Sequence, residues 1–342
     1  MRILLVGNPA AQSGKNAERL VKAQTLIEEH GATCEVFPTR PRGETIPVLI
    51  ERLDRGGEDF VVAMGGDGTF REVAASILDS RHRANITMGM LPTGTANDQG
   101  RSFGLDADPA ALARNVEVLF GRHEVGLDAG RLSMFNDTGA LTKKTAFFDS
   151  FGWGLSARVL RVRNQDRAVV DKLGPLRELY RDFAVYGGAF VKTFLASYVE
   201  DHKFSATITT RTGESHELFG MTDLIVKNTR IYAGAWVLDP SSRPDDGEFE
   251  VVPFAGRSDW ASKAILHIEG NPLTEEMLNT IGVSHSKSFR ASTMRVTLDS
   301  YGDELVPAQI DGEEIDSAAV YEIEVVKQAI RLVVPRPAAP DE

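Results

Sequence analysis

Over the first third of the chain, short apolar runs alternate with stretches whose apolar residues recur every three or four positions. RILLVGN (2–8) reads as a buried strand leading into an amphipathic helix around Asn16 to His30. TCEVFPT (33–39) reads as a strand, IPVLIERLD (46–54) as a helix, and FVVAMGG (60–66) as a second buried strand that runs into a glycine turn. REVAASILDS (71–80) follows as a helix, ITMGMLP (86–92) as a strand and DPAALARNVEVLFG (108–121) as a helix. This alternation predicts an α/β domain with a mainly parallel sheet over residues 1–130. Its glycine-rich turns fall at the carboxyl ends of strands, where open α/β sheets bind ligands.

From about residue 131 the pattern changes to a period of two, in SATITTRT, TDLIVKN, EFEVVPF, MRVTLDS and YEIEVVK. Residues 131–327 are therefore expected to form a mainly-β sandwich, with 328–336 a candidate to complete the first domain. One stretch interrupts the strands. Residues 156–198 are helical in character and carry Arg158, Arg161, Arg163, Arg167, Lys172, Arg177, Arg181 and Lys192 against four acidic residues. They flank an apolar run with Phe190, Val191 and Phe194; such a segment either lies on a membrane surface or is a solvated helix face.

A chain of 342 residues exceeds the usual reach of one hydrophobic core, so two domains with a ligand cleft between them are expected. The formal net charge of −11 argues against general nucleic-acid binding, which needs a basic surface. No apolar run approaches the roughly 20 residues that span a bilayer. The single cysteine, Cys34, cannot form an internal disulfide, and the N-terminus does not read as a signal peptide, so the expected location is cytoplasmic.

The densest chemistry lies in Gly65, Gly66, Asp67, Gly68 and Thr69, between a buried strand and a helix. Glycines there let backbone N–H groups approach a phosphate. A carboxylate in such a turn would repel that phosphate unless a cation stood between them, so Asp67 points to Mg²⁺-assisted phosphoryl chemistry. A second turn, LPTGTAND (91–98), supplies Gly94 and Thr95. The N-terminal GNPAAQSGKN is not a Walker A loop, because six residues separate Gly7 from Gly14-Lys15 and Asn16 replaces the metal-binding Ser or Thr. Ser13 and Lys15 remain candidate phosphate contacts.

The ordered series NP (8–9), GGDGTFREV (65–73), LPTGTANDQGRSFG (91–104), DDG (245–247) and IDGE (310–313) resembles the diacylglycerol kinase-like lipid kinases, a family that includes the sphingosine kinases. The resemblance implies an α/β nucleotide domain, a β-sandwich domain and ATP in the cleft between them. It implies that Asn8, Ser13, Lys15, Thr39, Gly65, Gly66, Gly68, Thr69, Gly94 and Thr95 hold the nucleotide. Asp67, Asp128 and Asp311 match a carboxylate network around a catalytic Mg²⁺, with Asp311 as general base and Glu313 beside it. Asp246, with the carbonyls of Arg243 and Glu248, matches a second, structural metal site. Each aspartate also has a plain reading: Asp128 as a turn cap, and Asp246 and Asp311 as the first residues of Asp-Gly turns. The chain departs from the family pattern at Arg71, where an Asn is usual, and at Gln99, where an aromatic is common.

The resemblance thus implies an ATP-dependent lipid kinase acting on diacylglycerol or a related long-chain alcohol. Expected partners are that lipid, the inner face of a membrane and a second copy of the chain. The alternatives are a kinase for a soluble acceptor, such as a dinucleotide or sugar, and a nucleotide-binding regulator without catalysis.

Overall fold

The computed structural model of the protein describes residues 1–158, 160–161, 203–232, 236–237, 242–256, 259, 286–300, 302 and 304–337, apart from the side chains of Gln12, Ser13, Lys15, Arg42 and Trp236. In the first half, β1 (Arg2–Gly7), α1 (Lys15–Glu29), β2 (Thr33–Pro38), α2 (Thr45–Asp54), β3 (Phe60–Gly65), α3 (Asp67–Asp79), β4 (Thr87–Pro92), α4 (Asp98–Ser102) and α5 (Leu112–Gly121) follow one another. The strands are parallel, in the order β2-β1-β3-β4. Strands β3 and β4 are buried almost throughout because helices cover both faces, which is why they read as unbroken apolar runs. Ile3, Leu5, Phe60 and Val62 pack on α1 and α5 through Leu20, Ile27, Val116 and Leu119. The alternate residues Leu4, Val6, Val61 and Ala63 face α2 and α3 through Leu49, Leu53, Phe70 and Val73.

The second half is β-rich. Strands β5 (Glu124–Phe135), β6 (Leu141–Phe147), β7 (Ser150–Gly154), β8 (Phe204–Thr210), β9 (Ser215–Met221), β10 (Asp223–Lys227), the short β11 (Ile231–Tyr232) and β12 (Trp236–Val237), β13 (Phe249–Phe254), β14 (Phe289–Ala291), β15 (Thr293–Ser300), β16 (Ala308–Ile310), β17 (Glu313–Ile315) and β18 (Val320–Val333) complete the chain. A six-stranded sheet, β14-β13-β10-β7-β16-β17, packs against the β5, β18, β15 and β8 part of a ten-stranded sheet. Phe151, Trp153, Leu224, Val226 and Phe249 meet Leu132, Ile208, Val296, Tyr321 and Ile323 in the core between them, as in a sandwich.

The two halves share strands. Residues Arg331 and Leu332 of β18 pair in parallel with β4, while its earlier residues Val320–Glu324 pair antiparallel with β15. Strand β5 runs alongside β18 from end to end and carries the chain across position 130 without a break. A bulge between Val326 and Ile330, with Gln328 at φ 44°, marks the passage of β18 from one half to the other. The basic stretch expected to be helical begins as a helical turn at Leu155. Arg163, Arg167, Lys172, Arg177, Arg181, Lys192 and the apolar Phe190, Val191 and Phe194 lie outside the described residues.

Candidate functional site

Strand β3 ends at Gly65 and α3 begins at Asp67, so Asp67, Gly68 and Thr69 form the first turn of a 13-residue helix. Gly66 precedes it with extended backbone and no side-chain cap, which leaves first-turn N–H groups for a ligand. The two glycine turns touch. Thr93 N donates to Gly65 O at 2.8 Å, and a Cβ on Gly94 would stand 2.4 Å from the Gly66 Cα. Asn97, at φ 54°, fixes the second turn by accepting from Gly94 N at 2.8 Å and donating to Gly94 O at 2.7 Å. Asp67 accepts from Gln99 N at 3.1 Å. Both polar side-chain atoms of Gln99 are buried without a hydrogen-bond partner, and they line with Asp67 and Asn97 a pocket of about 10 Å³, room for one water. Thr95 is exposed at the turn's tip.

Across from these turns stands Asp311. It and Gly312 are the two central residues of the β16–β17 hairpin, with φ of 46° and 75°, as a two-residue type I′ turn requires. The plain turn reading therefore holds. The side chain is 4% exposed and accepts backbone N–H bonds from Phe148, Asp149 and Ser150 at 2.8–3.2 Å. Burial first, and the neighbouring Asp149 second, push its carboxyl up to about 7. Burial and the same Asp149 also raise Asp67. Asp149 thus stands between the two predicted carboxylates.

Asp149 is balanced by Lys227, which is fully buried and donates to Asp149 at 2.6 Å and to the Ile231 carbonyl at 2.6 Å. Thr229 donates to the same Asp149 oxygen. Neither Asp149 nor Lys227 was a candidate from the sequence. The available signal was a charged residue inside each of two apolar runs, AFFDSFGW and DLIVKN. Asp67, Asp149 and Asp311 lie around this one buried ammonium, and Asp67 is the residue that would hold a Mg²⁺ beside a phosphate chain. Among the described residues no group of three or more His, Cys, Asp and Glu side chains is arranged to hold a metal ion unaided.

Glu313 is exposed and ion-paired with Arg71 of α3 at 2.5 Å. A Cβ on Gly68 would stand 2.4 Å from its Oε1. This pair joins the hairpin of the β half to the helix of the α/β half, and Arg71 also lowers the Asp311 carboxyl against the effect of burial. Asn8 and Thr39 lie beyond the ends of β1 and β2: Asn8 accepts from Ala10 N at 2.9 Å, and Thr39 N donates to Gly7 O at 3.0 Å. The side chains of Ser13 and Lys15 lie outside the described residues.

Asp128 is brought to a different place from Asp67 and Asp311. It is fully buried in β5 and accepts from Gly247 N and Gln328 N, each at 2.6 Å. It therefore ties the DDG turn to the bulge of β18. Its link to Asp311 is indirect: Asn228 donates to the carbonyls of Asp128 and Phe148, and Phe148 N binds Asp311. In the DDG turn, Asp246 Oδ1 accepts from Glu248 N at 3.1 Å and Oδ2 is bound by Arg290. Each oxygen of Asp246 thus already accepts a donor, and one of the two donors, Arg290, is itself a cation standing at the predicted metal site of Arg243, Asp246 and Glu248.

Residues 2–132, from β1 into β5, match the diacylglycerol kinase catalytic domain. The Probable lipid kinase YegS of Salmonella gallinarum is 24% identical over 326 residues, 94% of either chain. That of Salmonella typhimurium is 30% identical over 149 residues, 43% of this chain and 46% of the relative. At that level of identity the chain spans about half the length of the curated relatives it matches. A diacylglycerol kinase of Bacillus anthracis has the same fold, with a TM-score of 0.65 at 17% identity over 98% of this chain and 97% of the other. Yeast NADH kinase, solved with NADH, reaches 0.50 at 9% identity over 97% and 82%. The α/β half with its mostly parallel sheet and the β-rich second half are thus the fold of the diacylglycerol kinase-like proteins.

Proposed function

We propose that the protein transfers the γ-phosphoryl group of ATP to the hydroxyl of diacylglycerol or a related long-chain lipid alcohol. The observation that carries this reading is the Asp311 carboxyl, buried, fixed by backbone N–H groups and pushed up to about 7 by burial and by Asp149, opposite the uncapped start of α3. An alcohol is a weak nucleophile at neutral pH, and a base whose pKa lies near the working pH is best placed to take its proton. Asp311 takes the hydroxyl proton as the new O–P bond forms and the bond from the γ-phosphorus to the β-γ bridging oxygen breaks. The Gly66 and Gly94 turns and the uncapped first turn of α3 hold the phosphate chain, and such positioning carries most of the catalysis in phosphoryl transfer. Mg²⁺ held at Asp67 would neutralise phosphate oxygens. Lys227 limits the negative charge that Asp149 adds to the site. On this reading the protein is cytoplasmic and meets its substrate at a membrane face.

The test is transfer of labelled phosphate from ATP with Mg²⁺, offering diacylglycerol, a sphingoid base and ceramide in micelles beside NAD and simple sugars. Label in a lipid with the intact protein, and none with Asp311→Asn, is the expected result. Label in NAD or a sugar would replace the lipid acceptor by a soluble one. ATP binding without transfer to any acceptor would replace the kinase by a regulator.

A further inference from the structure

We infer that Arg290 is the resident cation of the Asp245-Asp246-Gly247 turn, with its guanidinium in the role that the family resemblance gives to a structural metal ion, so that this turn needs no divalent cation. Arg290 stands in β14, opposite Glu250 of β13 in the strand register. Its Nη2 binds Asp246 Oδ2 and reaches Glu250 Oε1 at 3.0 Å, its Nε reaches the same Glu250 oxygen at 3.3 Å, and its Nη1 lies 3.4 Å from Glu248 Oε2. One planar cation thus serves three carboxylates, a task that suits the fixed fork of a guanidinium. Glu250 is fully buried, and its other oxygen accepts from Ser242 at 2.6 Å.

Three other groups of the turn are also committed. Asp246 Oδ1 takes the Glu248 N–H, the Asp246 carbonyl takes Lys327 Nζ at 3.5 Å, and Gly247 N is held by Asp128. A divalent ion here would have to displace the guanidinium from Asp246 while Lys327 and Arg290 remained nearby to repel it. Burial works against the charge on Arg290, yet the bonds to Glu250 and Asp246 outweigh it and raise its pKa above the ordinary value. The arrangement matters for the fold because Asp128 links this turn to the bulge of β18 between the two halves. A cation carried by the chain keeps that link intact when free Mg²⁺ is scarce.

The experiment uses full-length, nucleotide-free protein as wild type, Arg290→Met and Asp246→Asn. Metal content is measured by mass spectrometry after EDTA treatment and again after dialysis against Mg²⁺ or Ca²⁺, and Tm is measured in the same buffers. Wild type should hold no more divalent metal than Asp246→Asn and should show the same response to EDTA as that variant. Arg290→Met should lose at least about 5 °C in Tm in every buffer, because a buried carboxylate then lacks its counter-charge. Metal retained by wild type but not by Asp246→Asn would overturn the inference, as would a Tm for Arg290→Met equal to wild type. If Arg290→Met does not fold, the comparison of wild type with Asp246→Asn decides alone. None of these readouts depends on phosphotransfer.

Discussion

The coupling between Asp149, Lys227 and Asp311 predicts opposite shifts in the pH profile from two neighbouring substitutions. With Asp311 at about 7, roughly a tenth of the molecules carry the ionised base at pH 6 and nine-tenths at pH 8, so kcat/KM should rise about tenfold across that interval. Two unit charges about 5 Å apart in a partly solvated protein site interact by about 3 kcal/mol, or about two pH units. Lys227, at 2.6 Å from Asp149, cancels much of this. Asp149→Asn removes a negative neighbour and should lower the apparent pKa by about one unit, extending activity to lower pH. Lys227→Met leaves Asp149 uncompensated and should raise it by a similar amount. The second variant also strands a buried carboxylate, at a cost of about 3–5 kcal/mol. The double variant Asp149→Asn/Lys227→Met should recover much of that stability and return the profile toward wild type. The assay is kcat/KM for ATP against pH, which reports groups of the free enzyme, with Tm recorded for each protein. Shifts of the same sign in the two single variants, or a flat wild-type profile from pH 6 to 8, would refute both the base assignment and the role given to the pair.

Three further outcomes follow. Because the folded pKa of Asp311 is raised above the unfolded value, the native state holds more protons between pH 4 and 7; its contribution to stability is complete below about pH 4 and is lost as pH rises through 7, at up to about 1.4 kcal/mol per pH unit. Asp311→Asn should therefore gain stability relative to wild type between about pH 5 and pH 8, read from urea midpoints, while phosphotransfer at pH 8 falls by about 10²-fold or more. Gly94→Ala places a methyl group against the Gly66 Cα and should cost about 1–3 kcal/mol together with a rise in KM for ATP, separable by calorimetry and nucleotide titration. Asp128→Ala removes the acceptor of Gly247 N and Gln328 N and should cost about 2–5 kcal/mol in denaturant unfolding, with the fall in kcat following the lost stability.

The α/β half was legible because its buried parallel strands leave a plain signal: FVVAMG and TMGMLP are apolar throughout, and each leads into a glycine turn of the candidate site. The strands β5 and β7 were not legible. In GLDAGRLSMF the alternation that runs from the exposed Arg131 to Phe135 is preceded by four consecutive buried residues, Leu127 to Gly130, which breaks the period, and SFGWG is five residues with two glycines, too short for a period to show. The site divided in the same way. Its glycine turns are local, so their spacing in the sequence already specifies their geometry. Asp311 was offered as either a turn residue or a base; the hairpin bears out the turn, and it sets the carboxyl, buried, beside Asp149. The Lys227–Asp149 pair lies 78 residues apart in the chain, and no local pattern joins its members. What the sequence does hold is a lysine in one apolar strand and an aspartate in an apolar run, in the bend just before another strand. A charge buried in such a run is costly unless it is paired, so each implies a partner. Only the pairing of β10 with β7, which sets Lys227 opposite Ser150, puts that lysine next to Asp149 and identifies it as the partner.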